Sequence, residues 1–292
     1  MDFATFLIQC LNALQYGLLL FLIASGLTLI FGIMGVINLA HGSFYMIGAY
    51  LAYALAPLVT ASFGGEFFST IGVGLIFSII LGYILEWAFF SYLYKREHLQ
   101  QVLMTYGLIL VFEELRSMLV GDDVHGVSIP SYLDVALPLS DMMTYPLYRL
   151  FISAVCLLLA LAMWFVFTRT RLGMMIRAGT TNREMVESLG IDITLLYRIV
   201  FAAGVALAAF AGMIAAPISS VYPGMGDGVL IICFVVVIIG GVGSIKGAML
   251  AALLIGLVDT FGKLLLPQMA GVLVYVLMAF ILLWRPRGLF KV

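Results

Sequence analysis

The sequence predicts an all-α, polytopic integral membrane protein. Hydrophobic residues make up 64% of the 292 residues and charged residues only 10%. A chain of this composition has too few polar side chains to cover a surface in water. Its apolar residues form runs close to the roughly 20 residues that a helix needs to cross the hydrocarbon of a bilayer. Its basic residues gather in a few connections between those runs, as they do in multi-pass proteins.

The apolar pattern gives nine membrane crossings with the amino terminus outside, and it is compatible with eight to ten. Glycines interrupt it near residues 32–43 and 240–247, where we expect broken helices or tight turns. A re-entrant hairpin at either break would change the count and the side of the amino terminus. The second predicted span is the interrupted segment 32–55. The other predicted spans are 11–31, 70–93, 103–119, 147–167, 200–221, 230–239, 249–266 and 271–284.

The charged connections predict the orientation of the chain. Residues 169–198 form a polar, basic loop, and the chain ends in the basic segment RPRGLFKV. The positive-inside rule places both in the cytoplasm. The connection over about 120–146 is acidic and contains prolines, which is typical of an external loop. We therefore expect residues 1–292 to form a single transmembrane domain.

The centre of the basic loop predicts a short helix. Thr181 and Glu184 form a capping box, in which the two side chains satisfy backbone N–H groups of the first helical turn. Gly190 suits the left-handed residue that ends a helix. A docking helix on the cytoplasmic side implies a cytoplasmic partner. Three apolar residues are expected on one side of this helix: Met185, Val186 and Leu189.

The first break carries the polar residues Asn38, His41 and Ser43. Polar groups at membrane depth are costly and often functional, so His41 lies either on a transport pathway or in a packed interior. With an offset of 208 residues, Gly32 and Gly35 match Gly240 and Gly243 at the second break. Repeats with broken helices at matching positions point to a transport pathway.

Charges within the apolar spans most simply form structural pairs. Glu113 and Glu114 lie near Arg116, and Asp259 precedes Lys263 by four residues, a spacing that brings opposite charges together on a helix. A proton relay is the alternative.

No motif for catalysis, metal binding or nucleic acid binding is present. The segment GGVGSIKG lacks the Gly-Lys-Ser/Thr order of a phosphate-binding loop. The three cysteines occur singly in apolar surroundings, and no second His or Cys lies at metal-ligand spacing from His41. We therefore expect a transport protein that is not an enzyme and binds no cofactor or metal itself.

Two long motifs resemble the permease subunits of bacterial ABC importers for branched-chain amino acids. The first is GLTLIFGIMGVINLAHGSFYMIGAYLAY and the second is GVLIICFVVVIIGGVGSIKGAMLAALLIGL. The ending LLWRPRGLF is similar to the usual carboxyl terminus of that family. The resemblance covers essentially the whole chain.

The resemblance gives the basic loop a role as the coupling helix, which contacts the ATPase. Importers of this class mark that helix with the pattern E-A-A-x3-G, and Glu184, Met185, Val186 and Gly190 match its frame with both alanines replaced. The resemblance also implies an inner-membrane location, two ATPase subunits that bind ATP and Mg²⁺, a second permease subunit in a heterodimer, and a periplasmic solute-binding protein.

The same resemblance makes the breaks the candidate translocation pathway, because non-helical backbone at membrane depth must be buried in protein or line a cavity. The candidate residues are Asn38, His41, Gly42, Ser43, Phe44, Gly240 and Gly243. The expected cargo is a branched-chain or other hydrophobic amino acid, or a related solute such as urea, an amide or an organic acid. An ion-coupled secondary transporter and a passive channel for a small solute are the alternatives.

Overall fold

The computed structural model describes residues 3–63, 66–94, 96–140, 143–181 and 183–290. Most of this chain is helical. The helices are α1 (Phe3–Met34), α2 (His41–Phe63), α3 (Glu66–Leu85), α4 (Ser91–Leu93), α5 (His98–Val120), α6 (Leu147–Arg169), α7 (Arg171–Thr181), α8 (Arg183–Ser188), α9 (Ile193–Ser219), α10 (Met225–Gly240), α11 (Ile245–Leu265) and α12 (Ala270–Trp284). A π-helical turn, Glu86–Phe90, joins α3 to α4, and a short 3-10 turn, Pro267–Met269, precedes α12.

The all-α, multi-pass architecture is confirmed. Among the described residues, seven helical segments are long and apolar enough to cross a membrane. Helix α10 is apolar but has only 16 residues, and α5 carries Glu113, Glu114 and Arg116. The expected eight to ten crossings are reached only when one or both of these helices are counted. Several helices extend past the predicted spans, because backbone hydrogen bonding continues beyond the lipid-facing stretch.

Both predicted helix breaks are confirmed. Helix α1 ends at Met34 and α2 begins at His41, while α10 ends at Gly240 and α11 begins at Ile245. Gly35 and Gly243, which the 208-residue offset pairs, have φ angles of 64° and 79°. This left-handed conformation is strained for residues with a Cβ, so glycine allows the chain to turn sharply at matching points.

The basic loop and the carboxyl-terminal segment lie at one end of the helix bundle, which we call the basic end. Helix α6 runs in the same direction as α1: Arg149 contacts Asn12 at 2.9 Å, and Ser25 contacts Met163 at 3.5 Å further along. The loop after α6 therefore lies at the same end of the bundle as the last residues of α1. The carboxyl-terminal segment reaches that end too, because the Leu289 N–H donates to the Ile239 carbonyl at 2.8 Å.

The opposite end carries the connection predicted to be external. Tyr145, in this connection, donates a hydrogen bond to Asn12 near the start of α1, at 3.1 Å. The connection contains an antiparallel hairpin of strands β1 (Ala136–Ser140) and β2 (Met143–Pro146). An isolated bridge between His125 and Val221 ties it to the segment after α9.

Glycines bring α2 and α9 into close contact inside the bundle. A Cβ on Gly48 would lie 1.9 Å from the Ala209 carbonyl oxygen, and one on Gly212 would lie 2.0 Å from that of Tyr45. Small residues of this kind let helix backbones approach closely within membranes. The contact holds the first turns of α2, which carry the candidate pathway residues, against α9.

Candidate coupling helix and pathway residues

Helix α8 is the short helix predicted in the basic loop. It ends in a Schellman motif: the Ile191 N–H donates to the Val186 carbonyl at 3.4 Å, and the Gly190 N–H donates to that of Glu187 at 3.0 Å. Gly190 has a φ angle of 80°, as its predicted role requires. The side chains of Thr181 and Glu184 lie outside the described part of the structure, so their capping box stays a prediction. The backbone of Thr181 forms the last residue of α7.

The apolar residues of α8 lie on one side by helical spacing, but they differ in exposure. Val186 is only 3% exposed and packs in the hydrophobic core. Met185 and Leu189 are 59% and 73% exposed, and their four-residue spacing places them side by side on a helix. Val186 therefore anchors α8, while Met185 and Leu189 form an apolar surface at the basic end, which we call the α8 patch.

A partly buried ion pair links the start of α9 to the π-helical turn that follows α3. The Arg198 Nε lies 3.1 Å from a carboxylate oxygen of Glu86, whose side chain is fully buried. The other carboxylate oxygen accepts a hydrogen bond from the Tyr94 hydroxyl. Glu86 begins the π-helical turn, a feature found often at functional sites. This cluster fixes the basic ends of α3 and α9 to each other.

The polar residues of the first break are packed inside this chain. Asn38, His41 and Phe44 are fully buried, and Ser43 is 4% exposed. A His41 ring nitrogen lies 2.9 Å from the Ile23 carbonyl oxygen in α1, and the ring meets Phe44 edge-on. The Asn38 side-chain oxygen accepts from the Ala40 N–H at 3.1 Å. The polar side chains of the break are therefore part of the packed interior, and the break is not a surface loop.

Two polar atoms of this break have no hydrogen-bond partner among the described residues: Asn38 Nδ2 and His41 Nδ1. Buried polar atoms are nearly always paired, because an unpaired one costs about 1–3 kcal/mol. Such atoms are expected where a water, a ligand or a second conformation satisfies them. This observation makes Asn38 and His41 stronger candidates than the other residues of the break.

The three candidate glycines act through close packing and backbone conformation. A Cβ on Gly42 would lie 2.2 Å from the Gly226 carbonyl oxygen, and one on Gly240 would lie 2.5 Å from the Gly247 carbonyl carbon. The turn at Gly243 lies against Gly32, near the end of α1. These contacts place Gly42 beside the start of α10, whereas Gly240 and Gly243 lie at its end. The two predicted groups of pathway residues are thus held by different contacts.

Two of the carboxylates within the apolar spans, Glu113 and Asp259, form the expected pairs. Arg116 lies 3.1 Å from Glu113, and Lys263 lies 2.6 Å from Asp259. Arg116 also contacts Asp122, whose pKa it lowers by hydrogen bonding. Carboxylates already held by a basic partner give no support to the ion-coupled alternative.

Comparison with known proteins identifies the family. The family model described as the permease component of branched-chain amino acid transport systems matches residues 9–282. The chain is 30% identical to the high-affinity branched-chain amino acid transport system permease protein BraD of Pseudomonas aeruginosa, over 97% of this chain and 95% of that protein. The chain belongs to the permease family of branched-chain amino acid ABC importers. No solved structure matches it.

Two further relatives show how broadly this permease family is spread. The permease protein LivH of Escherichia coli is 26% identical over 99% of this chain and 96% of its own length. A probable branched-chain amino acid transport permease of Methanocaldococcus jannaschii is 28% identical over 85% of this chain and 78% of its own length. As a member of this family, the permease is a transport subunit and a multi-pass integral membrane protein. Its family works with ATPase and solute-binding partners in general.

Sequence reasoning missed one element of the permease, the pair of Glu86 and Arg198. Glu86 fell inside a predicted span, and Arg198 was counted only as a basic residue of the loop. The two are separated by 112 residues, so no helical spacing connects them. A buried carboxylate in an apolar span was the one available signal, since such a charge needs a partner.

Proposed function

We propose that this permease forms part of the translocation pathway of an ATP-driven importer for branched-chain or other hydrophobic amino acids. A second, homologous permease would complete a heterodimeric membrane core. Two ATPase subunits would bind ATP and Mg²⁺ and carry out hydrolysis, so this chain would itself catalyse no reaction. The names of the relatives from P. aeruginosa and E. coli support this cargo.

The α8 patch is the observation that carries the proposal. Met185 and Leu189 are exposed apolar residues, yet they lie at the basic end, where the positive-inside rule predicts the cytoplasm. They are held by a buried anchor, Val186, and by a Schellman motif, so the patch has a fixed shape. A fixed apolar surface at the cytoplasmic side suits docking into a groove of an ATPase. The same argument makes the carboxyl terminus cytoplasmic in the bacterial inner membrane.

Movement of α8 would reach the membrane helices through α9. Ile191, which closes the Schellman motif, is followed by Asp192, whose side chain accepts a hydrogen bond from the Leu195 N–H at 3.0 Å and caps α9. Six residues after Asp192, Arg198 holds Glu86 on α3's π-helical turn. A displacement imposed on α8 by ATPase closure would therefore be passed to α9 and α3 together.

The break at 35–40 is where this movement would open a path. In the arrangement described here, Asn38 and His41 are enclosed and each keeps one unpaired polar atom. A rearrangement that exposes the break would allow water or solute to satisfy those atoms. Non-helical backbone beside such a path is compatible with a membrane interior.

Co-purification tests the assembly. We would purify the tagged permease from its native membranes in mild detergent and identify the proteins that accompany it, for the wild type, Leu189→Asp and a control, Val124→Asp. Val124 is 68% exposed, like Leu189, but lies in the connection at the opposite end. We expect an ATPase with the wild type and the control but not with Leu189→Asp. An ATPase that stays bound to a folded Leu189→Asp variant would contradict the docking role of α8.

Transport assays test the pathway residues. We expect Asn38→Leu and His41→Leu to lose most ATP-driven leucine uptake in proteoliposomes of the assembled importer. The control is Thr28→Val, because Thr28 is equally buried but its hydroxyl is satisfied by the Ala24 carbonyl at 2.8 Å. Normal uptake by both leucine variants, with normal assembly, would exclude Asn38 and His41 from the pathway.

A further inference from the structure

A cavity of about 460 Å³ lies at the end of the bundle opposite the basic end. Residues from α1, α2, α6, α9 and α11 line it. Its volume is within the ~300–1,000 Å³ range of small-molecule sites. None of the candidate pathway residues lines this cavity.

The cavity contains a cation without an acidic partner. Arg149 donates to the Asn12 side-chain oxygen at 2.9 Å, and no carboxylate of the described residues forms an ion pair with it. On α11, Lys263 lies 2.6 Å from Asp259. The three charged side chains of the lining therefore carry a net charge of +1. A guanidinium without a carboxylate partner in a cavity favours a carboxylate, which it can bind through two parallel hydrogen bonds.

The remaining lining has hydrogen-bonding groups and an apolar wall. Gln15 is 7% exposed, and its side chain makes no hydrogen bond within the described part of the chain. Tyr45 and Ser219 also line the cavity. The apolar part is formed by Leu19, Ile218 and Leu264. The cavity thus combines a site for a negative group, acceptors for a positive group, and a surface for an aliphatic side chain.

We propose that this cavity binds an amino acid zwitterion with an apolar side chain before it enters the pathway. Arg149 binds the α-carboxylate. Lys263 contacts only the Oδ2 atom of Asp259, so the Oδ1 atom accepts a hydrogen bond from the α-ammonium group. The side chain packs against Leu19, Ile218 and Leu264. This inference rests on the proposed function for its choice of cargo, and it adds a recognition site within the permease itself.

Ligand binding to the assembled importer in nanodiscs, without the solute-binding protein, tests the site. Saturation-transfer NMR would measure the binding of leucine, of leucinol, which lacks the carboxylate, and of 4-methylpentanoate, which lacks the ammonium group. We expect leucine to bind at least about tenfold more tightly than either analogue, because each loses a charged hydrogen bond.

Three variants assign the binding to the cavity. Arg149→Gln should weaken leucine binding by about 10- to 100-fold and abolish the preference for leucine over leucinol. Asp259→Asn should abolish the preference over 4-methylpentanoate. Asp134→Asn, which removes an exposed carboxylate of the same end outside the cavity, should change neither. The loss of a specific preference distinguishes ligand contact from a general disturbance of the fold.

Each outcome decides the proposal. Leucine binding that is absent, or that keeps its analogue preferences in Arg149→Gln and Asp259→Asn, overturns it. Leucine binding that disappears when phosphatidylethanolamine replaces phosphatidylcholine in the nanodiscs assigns the cavity to a lipid headgroup and also overturns it. ATP-driven uptake by the wild type is measured separately with the binding protein. Failure of uptake with intact leucine binding counts against the proposed function and leaves the cavity assignment standing.

Discussion

Replacing Gly48 with alanine tests the close contact that holds α2 against α9. An alanine Cβ would lie 1.9 Å from the Ala209 carbonyl oxygen, whereas ordinary Cβ contacts begin at 3.4 Å. The two helices would have to separate by about 1.5 Å, the difference between these distances. Overpacking of this kind costs about 1–3 kcal/mol. Because alanine is better than glycine in a helix by about 1 kcal/mol, the expected net destabilisation is up to about 2 kcal/mol.

Gly72 in α3 provides the matched control. It is also a helical glycine, but nothing lies within 4 Å of the position that its Cβ would occupy. Gly72→Ala should therefore be neutral or slightly stabilising. Thermal unfolding of the purified permease in detergent, followed by intrinsic fluorescence, should show a lower midpoint for Gly48→Ala than for Gly72→Ala.

A functional effect should accompany the loss of stability. Gly48 lies two turns beyond His41 on α2, so a displaced α2 would also displace the break. We expect slower leucine uptake by the assembled importer carrying Gly48→Ala and no change with Gly72→Ala. Equal midpoints and equal uptake for the two variants would refute the close contact of α2 and α9.

Three further predictions concern the basic end and the connection at the opposite end. Gly190→Ala should weaken ATPase co-purification by displacing the α8 patch, since the φ of 80° at Gly190 disfavours a Cβ. Gly190→Asn should retain more of the bound ATPase, because asparagine tolerates this conformation. Arg198→Gln should slow ATP-driven uptake and leave the ATPase bound, because it releases α9 from Glu86 but does not touch α8; loss of the ATPase would contradict this. Hydrogen bonds from Arg116 and Ser117 lower the pKa of Asp122 below its ordinary 3.8. These hydrogen bonds therefore contribute fully to stability above pH 3.8, and the contribution is lost as the pH falls through the lowered pKa of Asp122. Limited proteolysis of the connection should accordingly increase only in strong acid, and an increase already at about pH 6 would contradict the assignment.

The sequence alone was sufficient wherever the deciding interactions are local. The two breaks follow from glycines, which alone adopt left-handed backbone without strain, as Gly35 and Gly243 do. Gly190 ends α8 for the same reason. The pairs Glu113–Arg116 and Asp259–Lys263 lie within one helix, so helical spacing is enough to predict them. Composition and the length of the apolar runs decided the membrane architecture.

Only the tertiary structure decided the features that depend on distant segments. Val186 lies on the same side of α8 as Met185 and Leu189, but it is buried in the core, so only the other two residues form the α8 patch. Glu86 and Arg198 meet across 112 residues. The cavity around Arg149 takes its lining from five helices. A sequence specifies the period of each helix, but the face that each helix buries is set by its neighbours, whose positions no local pattern records.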